Sequence, residues 1–508
     1  MLQNNSTFSP FMSTRNSLSA GLNPLGMRTA SEQLFTTLLP GMNVVTLRIR
    51  YYSFYCWTLK KFYVNRERAS LGNFRSYIRK SEFLMALIHA YCDDGLGIPG
   101  INVATQIIEN NKFPIDIAAS ATPDGKNTGG YWKGALGALG TYYAASLQEM
   151  GLIAPIVDQP HFYNITKTEQ GIEYVCGEAL ADAFEESIGR ECSDLFKECI
   201  MNGYVTAMEL EKLGKVFRAH YIDGKEEREL LKKMLLQVDH PTSDMEHCMR
   251  KETIGLLLGF FVEHEGITLS EVEFAEFVYQ QFKSDKVKSA AAVGWYAFYL
   301  NDCRQYEALC IFEQLLNELK SSTMPGGWEK IDEFADRIAK SVCNELKVEE
   351  KTLHEVLNDW TSVTIPNNKM AKAFYNLLDN YVQNMEYNLY KDDLKVFFST
   401  VRNDALEWFE KLEDQMDMKV HDCLKLFLTS DIIYNHYAES MRKFSQTGVA
   451  TQKLAIENGE VRWLGDNEPS HSSPRIRTLS NFVSDLGLVS DYKLTSNGQE
   501  LLKELAYD

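Results

Sequence analysis

Histidines beside carboxylates are the residues of this chain whose types could carry out acid–base or metal chemistry. His264 is flanked by two glutamates, and His421 is followed by Asp422. A zinc-protease helix places its second histidine four residues after the first, and His264 has no such partner. His421 and Asp422 also lack metal ligands at helical spacing. We therefore interpret this pair as part of a solvated helix surface.

Two Glu-x-Lys sequences resemble the end of a nuclease metal motif. Glu318-Leu-Lys320 and Glu345-Leu-Lys347 both fall in predicted helices, so neither presents its carboxylate as a metal site requires. No Gly-x-Ser-x-Gly elbow occurs in the chain. We therefore expect no catalytic residue, no bound metal and no cofactor. The alternative is an enzyme whose site is assembled from distant residues, which requires carboxylates and histidines with shifted pKa values in a deep pocket.

Gly95, Gly97 and Gly100 satisfy the Gly-x-Gly-x-x-Gly spacing of a dinucleotide-binding loop. In such a loop the glycines follow a strand and lead into a helix whose N-terminus faces a pyrophosphate. Here the preceding segment, 74–92, has the apolar spacing of a helix, and Pro99 with the apolar residues after it predicts no helix start. We interpret the segment as a turn and expect no small-molecule substrate.

The first 80 residues are basic although the whole chain is acidic. They contain eleven Lys and Arg residues and two acids, while the full chain has a net charge of −18. Within them, aromatic residues and bases are interleaved from Val44 to Tyr63. This pattern is typical either of a platform that stacks single-stranded nucleic acid or of a core helix whose arginines pair with acidic residues of the same chain. The candidate nucleic-acid contacts in this segment are Arg48, Arg50, Lys60 and Lys61.

The C-terminal segment from Pro474 onwards has the pattern of a helix, a glycine stop, a short wing and a closing helix. The apolar residues that recur at helical spacing are Ile476, Leu479, Phe482, Val483 and Leu486. Gly487 occupies the position of a left-handed C-cap, residues 492–495 predict a strand, and Thr495 can cap a last helix. This order resembles the second half of winged helix-turn-helix domains, in which Leu-Gly-Leu-Ile is followed by Leu-Thr-x-x-Gly.

The same pattern occurs earlier in the chain. A glycine followed by two apolar residues, and then a Thr-x-x-Gly sequence, recur in matched pairs: Gly151 and Gly487, Thr168 and Thr495, Gly171 and Gly498. We therefore expect two winged-helix modules.

The two modules differ in charge. The predicted helix before the first glycine, 141–150, has no base, whereas the corresponding later helix carries Arg475 and Arg477. DNA-reading helices use arginine for phosphate and guanine contacts. We expect the first module to contact protein and the second to retain a DNA face formed by Arg475, Arg477 and Lys493.

The helical spacing of apolar residues through most of the chain predicts a mainly α-helical, multidomain protein whose strands are confined to small wings. A length of 508 residues allows roughly two to four domains. The longest apolar run, Ile254 to Val262, is too short to span a bilayer.

Ten cysteines without a Cys-x-x-Cys pair fit reduced thiols, and we expect a cytoplasmic protein. Asn458-Gly459 predicts a hairpin turn.

The predicted domains follow one another along the chain. They are a basic, aromatic-rich helical segment (1–110), a winged-helix-like module (111–185), a helical middle domain (186–365), long acidic helices (366–440) and a C-terminal winged-helix module (441–508).

Two winged-helix modules around a helical middle resemble, in architecture, the kleisin-type subunits of SMC-like ATPase complexes and accessory proteins of bacterial defence systems. The resemblance implies a non-catalytic scaffold or adaptor of a DNA-associated complex, active against phage or plasmid DNA, that docks on an ATPase partner. The docking surface would be formed by Leu486, Leu488, Leu494 and Leu501.

A winged-helix transcription regulator is an alternative to the scaffold. It requires a symmetric dimer with a basic recognition helix. The net charge of −18 and the large helical body argue against it.

Overall fold

The computed structural model describes residues 23–63, 70–92, 95–110, 113–122, 130–156, 159–167, 174–237, 249–322, 325–398 and 403–507. Helices account for most of these residues, and the sheets among them have only two or three strands. The predicted mainly α fold is therefore confirmed. The chain divides into two compact units. Unit 1 contains the described residues of 1–35 and 293–472, and unit 2 contains those of 36–292 and 473–508.

Helices occur throughout the described residues. Those up to residue 263 are α1 (Arg28–Leu38), α2 (Arg50–Tyr63), α3 (Leu71–Tyr91), α4 (Ile101–Glu109), α5 (Ile117–Ser120), α6 (Ala144–Glu149), α7 (Gly177–Ile188), α8 (Arg190–Asn202), α9 (Ala207–Leu213), α10 (Lys225–Leu236) and α11 (Met249–Glu263). The later ones are α12 (Glu271–Lys283), α13 (Ala290–Lys320), α14 (Ile331–Leu346), α15 (Leu353–Asn358), α16 (Lys369–Val382), α17 (Lys391–Phe398), α18 (Ala405–Asp414), α19 (Val420–Leu426), α20 (Asn435–Thr447), α21 (Ile476–Asp485) and α22 (Ser496–Tyr507). Segments with π-helical geometry are Leu139–Tyr143 and Phe427–Tyr434.

The strands are short and pair antiparallel. They are β1 (Ile115–Asp116), β2 (Ile153–Ile156), β3 (Gln159–Ile165), β4 (Tyr204–Val205), β5 (Glu329–Lys330), β6 (Leu454–Glu457), β7 (Glu460–Trp463), β8 (Val489–Ser490) and β9 (Lys493–Leu494). The pairs are β1 with β4, β2 with β3 and β8 with β9, and β7 lies between β5 and β6. Asn458 and Gly459, with φ of 51° and 78°, join β6 to β7. This confirms the predicted hairpin, because both central residues of a type I′ turn need positive φ.

The core of unit 2 is built around α2, which lies against α7. Ten successive residues of α2 are buried, from Arg50 to Leu59. The aromatic side chains that pack together here are Phe54, Trp57, Phe184, Phe196 and Phe217. A helix covered on all sides needs apolar residues around its whole circumference. This explains why apolar residues are so dense from Arg50 to Leu59.

Unit 1 is held together by helix packing and by a buried histidine. α14 lies against α16 and α19. In α20, the Nδ1–H of His436 donates to the Pro24 carbonyl at 2.9 Å, and its Nε2 accepts the Lys453 N–H at 2.9 Å. Burial lowers the pKa of His436 to about 4. The ring is therefore neutral near pH 7, as these two opposite hydrogen-bond roles require.

The two units differ from the consecutive domains predicted from the sequence. Residues 23–35 pack with the later helices of unit 1, whereas residues 473–507 return to unit 2. Sequence pattern cannot reveal such returns, because it reports only which face of each helix is apolar.

Candidate functional site

Arg50 occupies the centre of unit 2. Its Nε and Nη2 each donate to a different carboxylate oxygen of Glu227 at 3.1 Å, and Nη2 also donates to Ser187. Its Nη1 donates to the carbonyls of Val216, Arg218 and Tyr221. Only 2% of Arg50 is exposed, so it cannot contact nucleic acid in this position. This corrects the prediction for Arg50.

The other bases of this segment also face acidic residues of unit 2. Arg48 Nη1 donates to Asp485 Oδ1 at 2.7 Å. Lys60 pairs with Asp182, and Lys61 pairs with Glu185. Of the two interpretations of the basic, aromatic segment, the core helix whose arginines pair with the chain's own acids is confirmed. The candidate nucleic-acid contacts at Arg48, Lys60 and Lys61 are thus engaged within the chain.

The predicted recognition helix, α21, is packed into unit 2. Seven of its ten residues are buried, and Phe482 meets Tyr52 of α2 edge to face at 5.7 Å. Arg475 donates to Thr36 at 3.3 Å, and Arg477 is exposed. Lys493 is exposed and forms an ion pair with Glu265 at 3.1 Å. Because its apolar face is already covered, α21 has only a narrow polar side left for any DNA contact.

The leucines predicted to dock on a partner are largely inside the protein. Leu486, Leu488 and Leu501 are 2%, 4% and 4% exposed, and Leu494 is half-buried. β9 and α22 lie against α11 of the same unit. The structure therefore corrects the prediction that these residues form a docking surface, because their apolar area is already covered within unit 2.

The two matched segments share one pattern of backbone hydrogen bonds, in which a helix ends at a left-handed glycine. Gly151 and Gly487 have φ of 72° and 71°, which confirms the predicted C-cap at Gly487. Leu152 N–H donates to Leu147 O, and Leu488 N–H donates to Val483 O, both at 2.9 Å. We call each copy a glycine-capped hairpin motif. Its identity as a winged helix stays a prediction.

A threonine and a glycine complete each motif. The Thr166 hydroxyl donates to Gly151 O and that of Thr495 to Gly487 O, both at 2.7 Å. The hydroxyls in turn accept the N–H groups of Gly177 and Gly498. The predicted partners, Thr168 and Gly171, lie outside the described residues. Among the described residues, Thr166 and Gly177 make these contacts.

A cavity of about 420 Å³ opens on the surface of unit 2. Its lining comes from three segments, 44–47, 97–103 and 131–142, and includes Tyr131, Trp132 and Tyr142. We call it the aromatic groove. Val44 and Val45 line it and are 49% and 36% exposed. Apolar side chains exposed around a concave surface are typical of a binding site.

One wall of the aromatic groove is the glycine turn. Gly97 and Gly100 have φ of 79° and 81°, so the predicted turn is confirmed, and α3 precedes it. The expectation of no helix start is wrong, because α4 begins at Ile101, directly after Gly100. A Cβ at Gly100 would lie 2.7 Å from the Tyr131 ring, so glycine permits the close packing of two walls here.

A buried carboxylate of α3 fixes the opposite wall. Glu82 accepts the hydroxyls of Tyr55 and Tyr131 and the N–H groups of Ala138 and Leu139. Burial raises the pKa of Glu82, and these hydrogen bonds oppose the rise. With donors on both oxygens, the carboxylate is suited to holding this loop in place.

Arg79, also on α3, holds the same wall. Its Nη2 donates to Trp132 O at 2.9 Å, Nη1 donates to Gly134 O, and the guanidinium lies 4.8 Å from the Tyr131 ring centroid. The groove therefore has walls that are positioned before any ligand arrives.

Unit 1 contains a carboxylate–imidazole pair that the sequence did not indicate. His471 Nδ1 lies 2.8 Å from Asp302 Oδ2, and Asp302 Oδ1 accepts the Ser472 N–H at 2.7 Å. The ring stacks on Tyr306 at 3.9 Å. About a third of the His471 side chain is exposed and Asp302 is buried, as in a histidine oriented for proton transfer. The pair joins residues 169 positions apart, so no local sequence motif could predict it.

Groups around this pair titrate outside their ordinary ranges. Burial raises the pKa of Glu307, and it raises the pKa of the Cys310 thiol to about 12. Cys310 is therefore protonated near pH 7 and is not an activated nucleophile. Across the described ranges, no three His, Cys, Asp or Glu side chains converge as metal ligands.

No helix in the described part of the chain has the length and apolar character needed to cross a membrane. No protein-family model, curated protein or solved structure matches the chain.

Proposed function

We propose that the protein is a non-catalytic adaptor subunit of a multiprotein complex, and that a segment of a partner protein binds in the aromatic groove. The observation that carries the proposal is the groove itself, with Tyr131, Trp132 and exposed valines around a cavity of about 420 Å³. Binding hot spots are enriched in aromatic residues that surround a pocket for one anchor side chain. Arg79 and Glu82 hold these aromatic residues in place.

The occupant that fits best is a basic segment carrying an aromatic or branched aliphatic anchor. The mainly apolar walls accept the anchor. The net charge of −18 attracts a positively charged partner at long range and speeds its association. This net charge already includes the bases of α2, of which Lys60 and Lys61 are paired with acids of the same unit.

The resemblance to kleisin-type subunits supports a narrower form of the proposal. The partner would be an ATPase subunit, and the complex would act on DNA in bacterial defence. Because Leu486, Leu488 and Leu501 are buried, the docking site would be the aromatic groove instead of the terminal motif. DNA contact would fall to Arg475, Arg477 and Lys493.

Site-specific photo-crosslinking in the native host tests the adaptor proposal. A benzophenone amino acid placed at Val44, in the groove, is expected to crosslink to a basic segment with an apolar anchor. The same amino acid at Val262, which is 55% exposed in α11 and does not line the groove, is the control. Equal crosslinking at both positions, crosslinks confined to acidic segments, or recovery of the uncrosslinked protein alone as a monomer would each refute the proposal.

The Asp302–His471 pair favours a second candidate, an acid–base enzyme with its site in unit 1. Hydrolysis of p-nitrophenyl acetate, a generic acyl probe, compares His471→Ala with His421→Ala. The candidate requires the first variant to lose the pH-dependent rate while the second retains it. Equal rates in both variants remove this candidate.

A further inference from the structure

The last residue of α21 is a buried carboxylate held by an arginine. Asp485 Oδ1 accepts from Arg48 Nη1 at 2.7 Å, and Oδ2 accepts the Ile49 N–H at 3.4 Å. Asp485 is 7% exposed, and the Arg48 side chain is 14% exposed. The pair joins the end of α21 to the residues that precede α2, and its two members are separated by 437 positions.

The same arginine also holds the glycine wall of the aromatic groove. Its Nε donates to the Leu96 carbonyl at 3.0 Å, and Leu96 directly precedes Gly97, which lines the groove. A Cβ at Gly97 would lie 3.0 Å from Leu47 Cβ and 3.5 Å from Arg48 Nε. The turn is therefore packed closely against Leu47 and Arg48, and the carboxylate, the guanidinium and the wall form one continuous chain of contacts.

We propose that Arg48 and Asp485 form a proton-controlled latch that holds the 97–100 wall of the aromatic groove in place. When Asp485 is ionised, the guanidinium is anchored between the carboxylate and the Leu96 carbonyl. When Asp485 is protonated, Arg48 loses its charged partner, and a cation this close to the surface gains hydration by turning outward. The Leu96 carbonyl then loses its donor, and the turn is free to move.

The electrostatic surroundings place this change near neutral pH. Burial raises the pKa of Asp485 to about 7, while the ion pair with Arg48 and the Ile49 N–H oppose the rise. Tyr143 interacts electrostatically with Arg48, and burial raises the pKa of its phenol well above the ordinary value. It stays neutral and does not compete for the guanidinium. The latch is therefore closed above about pH 7 and opens as the pH falls below it.

Fluorine NMR of the free protein labelled with 5-fluorotryptophan tests the latch without any partner. Trp132 lines the groove, and Trp132→Phe identifies its resonance among the seven tryptophans. We expect this resonance to shift with a midpoint near pH 7. Asp485→Asn, which has no charge at any pH, is expected to hold it at its low-pH position. Glu265→Gln, which removes the exposed ion pair with Lys493, is expected to leave the titration unchanged.

Arg48→Met provides an independent check if Asp485→Asn fails to fold. Without the guanidinium the wall has no latch, so the Trp132 resonance is again expected not to titrate near pH 7. A resonance that does not move between pH 6 and pH 8 in the wild-type protein, or one that titrates equally in both variants, overturns the inference.

The effect on partner binding rests on the proposed function, and its test is separate. If only the closed groove binds, the apparent affinity is expected to fall about tenfold from pH 8 to pH 6, because the closed fraction falls by that factor around a pKa of 7. A Trp132 resonance that shifts near pH 7, without crosslinking at Val44, would refute the adaptor role and support the latch. Crosslinking at Val44 without a pH-dependent shift of the Trp132 resonance would support the adaptor role and refute the latch.

Discussion

Replacing Arg50 with methionine is expected to destabilise unit 2 by about 3–5 kcal/mol, because removal of one partner of a buried ion pair leaves the other charge uncompensated. Glu227 would keep the Ser53 hydroxyl at 2.6 Å but lose both guanidinium hydrogen bonds. The carbonyls of Val216, Arg218 and Tyr221 would also lose their donor. Each unsatisfied carbonyl costs about 1 kcal/mol or more, so we expect the upper half of the range.

Urea unfolding followed by circular dichroism and tryptophan fluorescence measures this loss, because Trp57 lies in the same core. Lys60→Gln is the matched control. It removes a base of the same helix whose partner is more than half exposed, and exposed pairs contribute less than about 1 kcal/mol. The double variant Arg50→Met/Glu227→Leu is expected to recover part of the loss, since no charge then remains buried.

If Arg50→Met loses less than about 1 kcal/mol while any nucleic-acid binding disappears, the arginine contributes to function and not to the core. A large loss of stability in Lys60→Gln would show that the difference between buried and exposed pairs does not control the stability of this helix.

Three further predictions concern other parts of the chain. The stability of unit 1 is expected to fall by roughly 3 kcal/mol between pH 6.5 and pH 4, because His436 has a pKa of about 4 when folded and the unfolded chain binds the proton at higher pH. His436→Gln is expected to flatten this dependence in pH-dependent urea unfolding, and an unchanged slope would contradict the prediction. Gly498→Ala is expected to lower the melting temperature by several degrees, because the new Cβ would lie 2.1 Å from the Leu488 carbonyl oxygen. Gly465→Ala, where the new Cβ would meet only the Lys453 Cδ at 3.7 Å, is the control, and equal effects would show that the close approach is not limiting. Arg475→Ala/Arg477→Ala is expected to weaken any DNA binding and to reduce its salt dependence by up to about two units of slope; an unchanged slope in a fluorescence-anisotropy titration would remove the DNA face.

The local features of this fold could be predicted from the sequence. The helical spacing of apolar residues, the glycine stop at Gly487 and the Asn458-Gly459 hairpin all occur as expected. They depend on interactions between residues close in the chain, and a left-handed residue or a type I′ turn selects glycine or asparagine wherever it occurs. The mainly α class follows from the same local signals.

The partners of the candidate site residues were decided by the tertiary structure. The sequence allowed Arg48 and Arg50 either to contact nucleic acid or to pair with acids of the chain, and it did not identify Asp485 and Glu227 as their partners. The terminal leucines have the same apolar pattern whether they contact a partner or their own unit. Only the position of α11 shows that they are buried within unit 2.

The aromatic groove shows the same division between local and long-range information. Its turn was predicted from Gly95, Gly97 and Gly100, but its other walls come from residues 44–47 and 131–142. The sequence by itself determined that a turn forms here, and it offered a buried helix as one of two interpretations of the segment that contains the arginines. Only the tertiary structure decided which distant carboxylates neutralise those arginines and which aromatic rings face the turn, because burial, desolvation and long-range pairing depend on how the helices pack and not on the order of residues along them.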